Sequence, residues 1–166
     1  MAVPSEYEEI FSGNLLRLIR KQGKYECVEH PGAVAILPIL SGGDVILIRQ
    51  YRPAINREIL ELPAGLLEPG EEPIETGKRE LLEETGYHSD NLEFIFQFYS
   101  SPGFTSEKLF LFRARDLEYC GPPVEQGLEL VRLNRTQVSE GLFSGLFDDA
   151  KTIIGLQFYL QGGAGS

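Results

Sequence analysis

Short apolar runs separated by turn residues dominate the chain and predict β-strands. Residues 33–40 and 45–51 are rich in valine, isoleucine and leucine, and residues 41–44 between them, Ser-Gly-Gly-Asp, are typical of a turn. We therefore predict two central strands here. Residues 15–21 and 25–28 flank a short glycine-containing link and predict an N-terminal β-hairpin. Further strands are predicted at residues 59–62, 92–99, 108–114 and 128–133.

Two longer helical patterns interrupt these strands. The first runs from about Pro73 to Thr85, with proline at an early helical position and Gly86 just beyond the last turn. The second spans about residues 148–160 and begins with two aspartates, which suit the N-terminus of a helix. A shorter helix is predicted near residues 136–140. Because strands and helices do not alternate regularly, we predict an α+β fold with a mixed sheet covered by helices.

The length of 166 residues fits a single domain, which we place at residues 1–161. Residues 1–30 hold the predicted hairpin. Residues 162–166 are glycine-rich and are predicted to form a flexible tail. Neither an internal repeat nor a linker is visible, so the N-terminal hairpin is expected to belong to the same domain.

The charge balance and the cysteines exclude several classes of protein. Fifteen basic residues against twenty-five acidic ones give a net charge of −10, which disfavours binding to nucleic acid or to an anionic membrane. Residues 1–30 lack the apolar stretch of a signal peptide, and the longest apolar run is too short to span a bilayer, so we expect a soluble cytoplasmic protein. Because Cys27 and Cys120 lie far apart in the sequence, we predict two buried thiols rather than a disulfide framework or a zinc site.

The first predicted helix carries an unusual concentration of acidic residues. Glu80, Glu83 and Glu84 stand at i, i+3 and i+4, so three like charges share one surface near the C-terminal end, where the helix dipole also disfavours negative charge. A cation would relieve both penalties, and Mg²⁺ prefers carboxylate oxygens together with phosphate oxygens and water. The pattern predicts a site for a metal-bound phosphate. The alternative is a solvated acidic face.

The segment before the helix supports the metal-site interpretation. Residues 62–70 contain two prolines and two glycines, and such a loop approaches a ligand closely with its backbone and exposes carbonyl groups to a cation. Loop and acidic helix are therefore expected to meet at one site.

The residues from Gly65 to Tyr87 resemble the Nudix box, G-x5-E-x7-R-E-U-x-E-E-x-G-U, in which U is apolar. Every specified position is filled, with Leu81 and Tyr87 in the apolar slots. The positions matched by identity are Gly65, Glu71, Arg79, Glu80, Glu83, Glu84 and Gly86. The resemblance implies a Nudix-like mixed β-sheet sandwiched between helices in an α/β/α arrangement.

The resemblance extends beyond the box over roughly residues 28–160. The segments 30–34 (HPGAV), 49–52 (RQYR) and 61–65 (ELPAG) are similar to the upstream half of ADP-ribose pyrophosphatases. Downstream, Pro102 follows Tyr87 by fifteen positions, a spacing similar to that of the subgroup that hydrolyses ADP-ribose and related nucleoside diphosphate sugars.

The family resemblance implies roles for individual residues of the box. The implied metal ligands are Glu80 and Glu84, with the carbonyl oxygen of Ala64, and Glu83 as a further ligand or a water-orienting carboxylate. Arg79 and Glu71 are implied to be structural, which agrees with an arginine that orients neighbouring carboxylates. The implied ion is Mg²⁺, for which Mn²⁺ is a frequent substitute at carboxylate sites.

The substrate-binding groups and the general base lie outside the box. Arg52 resembles the position that contacts the diphosphate, and Phe104, in a loop, is a candidate for stacking on the base. The general base of such enzymes is commonly a glutamate on a loop between later strands, and Glu125 is the first candidate. This loop has fewer consecutive acids than relatives have, so Glu129 and Glu83 remain alternatives.

The function implied by the resemblance is magnesium-dependent hydrolysis of ADP-ribose to AMP and ribose 5-phosphate, with other nucleoside diphosphate sugars as further substrates. The first alternative is a GDP-mannose hydrolase or a broad hydrolase of nucleoside diphosphate sugars, because the pocket loops select base and sugar. The second alternative is a non-catalytic ADP-ribose sensor. The family also implies a homodimer in which the N-terminal hairpin helps to build the nucleoside pocket.

Overall fold

The computed structural model describes residues 7–163, and within them the chain forms an α+β fold of twelve strands and three α-helices. The predicted fold class is therefore confirmed. The strands are β1 (Tyr7–Ser12), β2 (Arg17–Lys21), β3 (Tyr25–Glu29), β4 (Ala33–Pro38), β5 (Val45–Arg52), β6 (Arg57–Glu61), β7 (Ala64–Leu66), β8 (Tyr87–His88), β9 (Asn91–Tyr99), β10 (Lys108–Arg115), β11 (Glu118–Tyr119) and β12 (Glu129–Leu133). The helices are α1 (Pro73–Thr85), α2 (Arg135–Ser144) and α3 (Ala150–Phe158).

A four-stranded mixed sheet in the order β7-β4-β10-β9 forms the centre of the molecule. β4 runs parallel to β10 and antiparallel to β7. All six residues of β4 are buried, as expected for a strand that reads as a continuous apolar run between two layers. The short strand β7 was predicted as loop. Its three residues pair with the start of β4, from Ala33 to Ala35, and this pairing fixes the segment just before the acidic helix.

A second sheet, in the order β12-β5-β6, contains β5 as its central strand. The first half of β5, from Val45 to Ile48, is buried, whereas its last residues are partly exposed. Because side chains alternate between the two faces of a strand, Gln50 and Arg52 lie on one face and Arg49 lies on the other. This alternation decides which polar groups of β5 can reach the acidic helix.

Helix α1 has the limits that the sequence predicts. Pro73 lies in its first turn, and Gly86 ends it in the left-handed conformation (φ 71°), donating its N–H to the carbonyl of Leu82. Leu81 packs with Val34 in an apolar cluster between the helix and the central sheet. The helix is thereby fixed against the central sheet, and Glu80 and Glu84 are buried with it.

The two C-terminal helices differ in length from the predictions. α2 is ten residues long, whereas only residues 136–140 were predicted, because Asn134 and Gln137 form a reciprocal capping box that starts it at Arg135. α3 begins at Ala150 because Asp149 caps it, and after its end at Phe158 the chain turns through Tyr159–Gly163, where Gly162 leaves the helical conformation (φ 108°). Gly162 and Gly163 belong to this segment, and the rest of the predicted tail, residues 164–166, lies outside the described residues.

The predicted N-terminal hairpin is part of a three-stranded antiparallel sheet in the order β1-β2-β3. β1 was not predicted, because all six of its residues are exposed and its sequence shows no buried face. The prediction of buried thiols is wrong for Cys120, which is exposed, while Cys27 is partly buried. Within residues 7–163, no helix has the length and apolar character needed to cross a membrane.

Candidate active site

The acidic helix and strand β7 meet at Gly65, where the carboxylate of Glu80 lies directly against the backbone. A Cβ atom added to Gly65 would lie 1.9 Å from Cδ and Oε1 of Glu80. Only glycine leaves room for this contact, which explains the residue type at the first position of the box. Strand β7 and helix α1 therefore form a cradle for the Glu80 carboxylate.

Glu84, one turn further along α1, is buried beside the same strand. One of its carboxylate oxygens accepts a hydrogen bond from the backbone N–H of Ala64 at 2.8 Å. Burial raises the pKa of Glu84 to about 8, and the neighbouring charges of Glu80 and Glu125 act in the same direction. Burial also raises the pKa of Glu80, against the opposing effect of Arg79. Glu80 and Glu84 are thus two buried carboxylates that lie beside the same strand, β7.

Arg79 holds the surrounding carboxylates in place. Its Nε and Nη2 donate to Glu71 at 3.2 and 3.1 Å, and its Nη1 donates to Glu80 at 2.5 Å and to Glu83 at 3.2 Å. The hydroxyl of Thr76 donates to the same Glu71 carboxylate at 2.7 Å. The hydrogen bonds from Arg79 and Thr76 lower the pKa of Glu71. Glu71 and Arg79 therefore form a hydrogen-bonded frame at the side of the cradle.

The donor set fits a divalent cation. Within residues 7–163, no three acidic, histidine or cysteine side chains are grouped in a metal-binding geometry, and Arg79 bridges Glu80 and Glu83. The unfavourable burial of Glu80 and Glu84 is nevertheless the situation that a hard cation with oxygen ligands relieves. Turning the Glu80 and Glu83 carboxylates away from Arg79 would make them available to such an ion.

The loop after β11 carries Glu125 to the same end of α1. The backbone N–H groups of Val124 and Glu125 both donate to the carbonyl oxygen of Glu83, at 2.9 and 3.2 Å. Gln50 of β5 donates from Nε2 to the Glu125 carboxylate at 3.4 Å. Glu125 is thus close enough to raise the pKa of both buried glutamates. The structure brings the first candidate for the general base next to the predicted metal ligands.

Glu129 and Phe104 are not brought to this position. Glu129 lies opposite Arg49 in the β12–β5 pair and forms an exposed ion pair with it at 3.1 Å, on the face of β5 that points away from Gln50 and Arg52. Phe104 is 56% exposed, and its carbonyl oxygen accepts a hydrogen bond from Val28 of β3. Phe104 therefore adjoins the N-terminal sheet rather than the acidic helix.

A cleft of about 500 Å³ opens beside Ala64 and Gly65. Arg52 lines it and donates from Nε to Glu61 at 2.7 Å. Burial alone would lower the pKa of Arg52, but Glu61 and the charge of Glu84 raise it above its ordinary value. Arg52 thus places a permanent positive charge in a cleft that is also lined by acidic side chains, and its guanidinium group suits an anionic ligand.

Two charged residues of the cleft were not identified from the sequence. Glu61 accepts a second hydrogen bond, from Nζ of Lys151 at 2.6 Å, and both side chains are buried. Glu61 is the last residue of β6, and Lys151 is the second residue of α3. No local signal in the sequence marks either residue, and their pairing across 90 positions requires the fold.

Comparison with known proteins agrees with this geometry. The NUDIX domain family matches residues 29–140. The chain is 39% identical to the ADP-ribose pyrophosphatase of Bacillus subtilis (strain 168) and 36% identical to the methanol dehydrogenase activator of Bacillus methanolicus, in each case covering 93% of this chain and 89% of the relative. It is 33% identical to the GDP-mannose pyrophosphatase of Cronobacter sakazakii (strain ATCC BAA-894), covering 84% of this chain and 82% of the relative.

A solved structure shares the fold. The crystal structure of an ADP compounds hydrolase superposes with a TM-score of 0.75 at 26% identity, covering 97% of this chain and 94% of that chain. The family match spans the cradle of Gly65 and Glu80, the buried Glu84 and the loop that carries Glu125. The chain belongs to the NUDIX domain family.

Proposed function

We propose that this protein is a magnesium-dependent pyrophosphohydrolase that cleaves ADP-ribose to AMP and ribose 5-phosphate. The single observation that carries the proposal is the pair of buried glutamates, Glu80 and Glu84, beside a cleft lined by Arg52. An array of carboxylates next to a cleft that contains an arginine side chain suits a metal-bound diphosphate. The likeness to the ADP-ribose pyrophosphatase of Bacillus subtilis supports the choice of substrate.

The metal would be held by Glu80, Glu84 and the carbonyl oxygen of Ala64, with Glu83 as a further ligand. When bound, Mg²⁺ offsets phosphate charge and lowers the pKa of a coordinated water. Mn²⁺ is expected to replace it, since the same oxygen ligands suit both ions. Arg79 and Glu71 orient the carboxylates, and Arg52 binds the diphosphate through paired hydrogen bonds from its guanidinium group.

Glu125 is the proposed general base, which takes a proton from the attacking water. Its support is its position, because the loop that carries it is attached to the carbonyl of Glu83 and its carboxylate accepts a hydrogen bond from Gln50. Glu83 is the second candidate, since it lies on the same helix and is partly exposed. Glu129 has the weakest support, because it pairs with Arg49 on the other face of β5.

A GDP-mannose hydrolase or a broad nucleoside diphosphate sugar hydrolase is the second candidate function. The likeness to the GDP-mannose pyrophosphatase of Cronobacter sakazakii favours it. The metal cradle serves diphosphate chemistry in either case, and the walls of the cleft select the base and the sugar. Phe104 is still proposed to stack on the base, since Ser100 and Glu107, on either side of it in the chain, line the cleft.

We also propose a homodimer that buries the N-terminal three-stranded sheet. This sheet and the connection between β1 and β2 expose several large apolar side chains, which a monomer would leave in water. They are Tyr7, Ile10, Phe11, Leu15, Leu16 and Tyr25. Light scattering coupled to gel filtration measures the mass directly, and a mass of 18.6 kDa at micromolar concentration would contradict the dimer.

The deciding experiment is a turnover assay with Mg²⁺ and a panel of ADP-ribose, GDP-mannose, UDP-glucose and NADH, with products identified by ion-pair chromatography. We expect AMP and ribose 5-phosphate from ADP-ribose at the highest kcat/KM of the panel. Glu84→Gln is expected to lower kcat/KM at least about 100-fold, because a metal ligand is lost.

Glu75→Gln is the matched control, since Glu75 is an exposed glutamate at the other end of the same helix. Its kcat/KM should stay within about twofold of the unsubstituted protein. Preferred hydrolysis of GDP-mannose would favour the second candidate. Binding of ADP-ribose without release of any product would instead favour the sensor.

A further inference from the structure

A row of four alternating charges lies along the wall of the cleft. Arg52 donates to one oxygen of Glu61 at 2.7 Å, and Lys151 donates to the other oxygen at 2.6 Å. Lys151 also donates to Asp149 at 2.9 Å. The row therefore reads Arg52, Glu61, Lys151, Asp149, and its two positive and two negative charges cancel. It joins the end of β5, the end of β6 and the first turn of α3.

The four side chains differ in their access to water. Glu61 is 1% exposed and Lys151 10% exposed, whereas Arg52 is 39% exposed and faces the cleft. A carboxylate removed from water in this way requires compensating charge from the protein. Arg52 and Lys151 both supply it to Glu61, but only Arg52 combines this contact with broad exposure to an incoming ligand.

Asp149 does not depend on Lys151 alone. It caps α3, and its carboxylate accepts hydrogen bonds from the backbone N–H and the hydroxyl of Thr152 at 3.1 and 2.6 Å. The partial positive charge of the helix N-terminus also favours a carboxylate at this position. The ammonium group of Lys151 therefore serves mainly to compensate the negative charge of Glu61.

We propose that Lys151 is a positioning residue for substrate binding, which offsets the charge of Glu61 so that Arg52 keeps its positive charge available to the diphosphate. The inference rests on the proposed function, in which Arg52 binds that group. Without Lys151, the buried carboxylate of Glu61 would have Arg52 as its main positive neighbour. The guanidinium group would then be held more strongly by Glu61 and would offer less attraction to phosphate oxygens.

The first test is steady-state hydrolysis of ADP-ribose with saturating Mg²⁺ by variants at position 151. Lys151→Met removes the charge but keeps the apolar length of the side chain. We expect KM to rise about tenfold with kcat within about threefold, because Arg52 binds the diphosphate before and during the reaction. Lys151→Arg restores the charge and should bring KM back to within about threefold of the unsubstituted protein.

Removal of a buried partner destabilises a protein, so folding is measured alongside the kinetics. Lys151→Gln is the second variant, since its amide retains a hydrogen bond to Glu61 without carrying charge. The same rise in KM is expected for Lys151→Gln as for Lys151→Met. An unchanged KM in a folded Lys151→Gln or Lys151→Met protein would overturn the inference.

The second test asks whether Lys151 acts through Arg52. Arg52→Ala should itself raise KM, and adding Lys151→Met to it should raise KM no further, because the group that Lys151 serves is already absent. If Lys151→Met raises KM by the same factor with and without Arg52, Lys151 acts independently of Arg52 and the inference is wrong.

The unsubstituted protein separates this inference from the proposed function. If it hydrolyses none of the nucleoside diphosphate sugars of the panel, the proposed function fails and the inference fails with it. If it hydrolyses ADP-ribose and the double-substitution cycle shows independent effects, the proposed function stands and only the role of Lys151 is rejected.

Discussion

The substitution Gly65→Ala tests whether the cradle between β7 and α1 determines activity. The added Cβ atom would lie 1.9 Å from Cδ and Oε1 of Glu80, and 2.3 Å from Oε2. Gly65 is not among the glycines with positive φ, so alanine fits its backbone conformation. The three atoms nearest to the added Cβ all belong to the far end of one flexible side chain, so the Glu80 carboxylate has to move.

The size of the effect follows from this geometry. To reach ordinary contact, the carboxylate must move by about 1.5 Å, and a misplacement of about 1 Å in a catalytic site costs on the order of 100-fold in rate. The stability change is expected to be small, because replacing glycine by alanine stabilises the folded state by about 0.4–1 kcal/mol where the conformation is compatible. We expect kcat/KM for ADP-ribose to fall about 100-fold or more, with a melting temperature within about 3 °C of the unsubstituted protein.

The assay is hydrolysis of ADP-ribose over a series of Mg²⁺ concentrations, with AMP quantified by chromatography. Because Glu80 is a proposed metal ligand, the Mg²⁺ concentration at half-maximal activity should also rise. Gly103→Ala is the matched control, since Gly103 has no neighbouring atom within 4 Å of an added Cβ and no positive φ.

Two outcomes would refute the reasoning. A Gly65→Ala protein with at least a third of the original kcat/KM and an unchanged Mg²⁺ dependence would show that the position of the Glu80 carboxylate does not matter. A Gly103→Ala protein with an equal loss of activity would show that the effect does not come from the cradle.

Three further predictions concern acidity, the base and helix packing. In the metal-free protein, the pKa of about 8 for Glu84, against an ordinary value of 4.5, means that the stability it contributes is complete below pH 4.5 and is lost as the pH rises through 8. By pH 7 the free energy of unfolding should have fallen by about 3 kcal/mol. Chemical denaturation should show that the unfolding free energy of Glu84→Gln depends less on pH. An equal dependence on pH in the two proteins would contradict the raised pKa of Glu84. Glu125→Gln should lower kcat about 100-fold or more with KM little changed, whereas Glu129→Gln should leave kcat within about threefold. If steady-state kinetics show the larger loss of kcat for Glu129→Gln, Glu129 is the general base instead of Glu125. Gly155→Ala should lower the free energy of unfolding by about 1–3 kcal/mol, because its Cβ would lie 2.6 Å from Leu62, and urea denaturation with no change in midpoint would count against the packing of α3.

Local signals in the sequence were sufficient where an element carries its own start and stop. Helix α1 was predicted with its observed limits because Pro73 and Gly86 mark its ends. The spacing of Glu80 and Glu84 likewise predicted a shared surface, and the structure places both beside β7. One turn of helix fixes such neighbours without any tertiary information.

Features set by distant contacts were not predictable in this way. The strand β7 follows Pro63 and is three residues long, so only its pairing with β4 distinguishes it from a loop. β1 has no buried face, and its strand conformation depends on β2. The pair of Glu61 and Lys151 joins residues 90 positions apart, and neither residue type suggests its partner before the fold brings α3 to the end of β6.

The attachment of the Glu125 loop to the carbonyl of Glu83 has a consequence for how this enzyme can diversify. Both hydrogen bonds use main-chain atoms, so they persist with any residue other than proline at the two donor positions, and Val124 is 75% exposed. Substitutions there, or added residues between Glu125 and β12, can accumulate by drift without detaching the segment from α1. Evolution or laboratory selection can therefore vary this loop and change the substrate preference while the Glu125 carboxylate keeps its position.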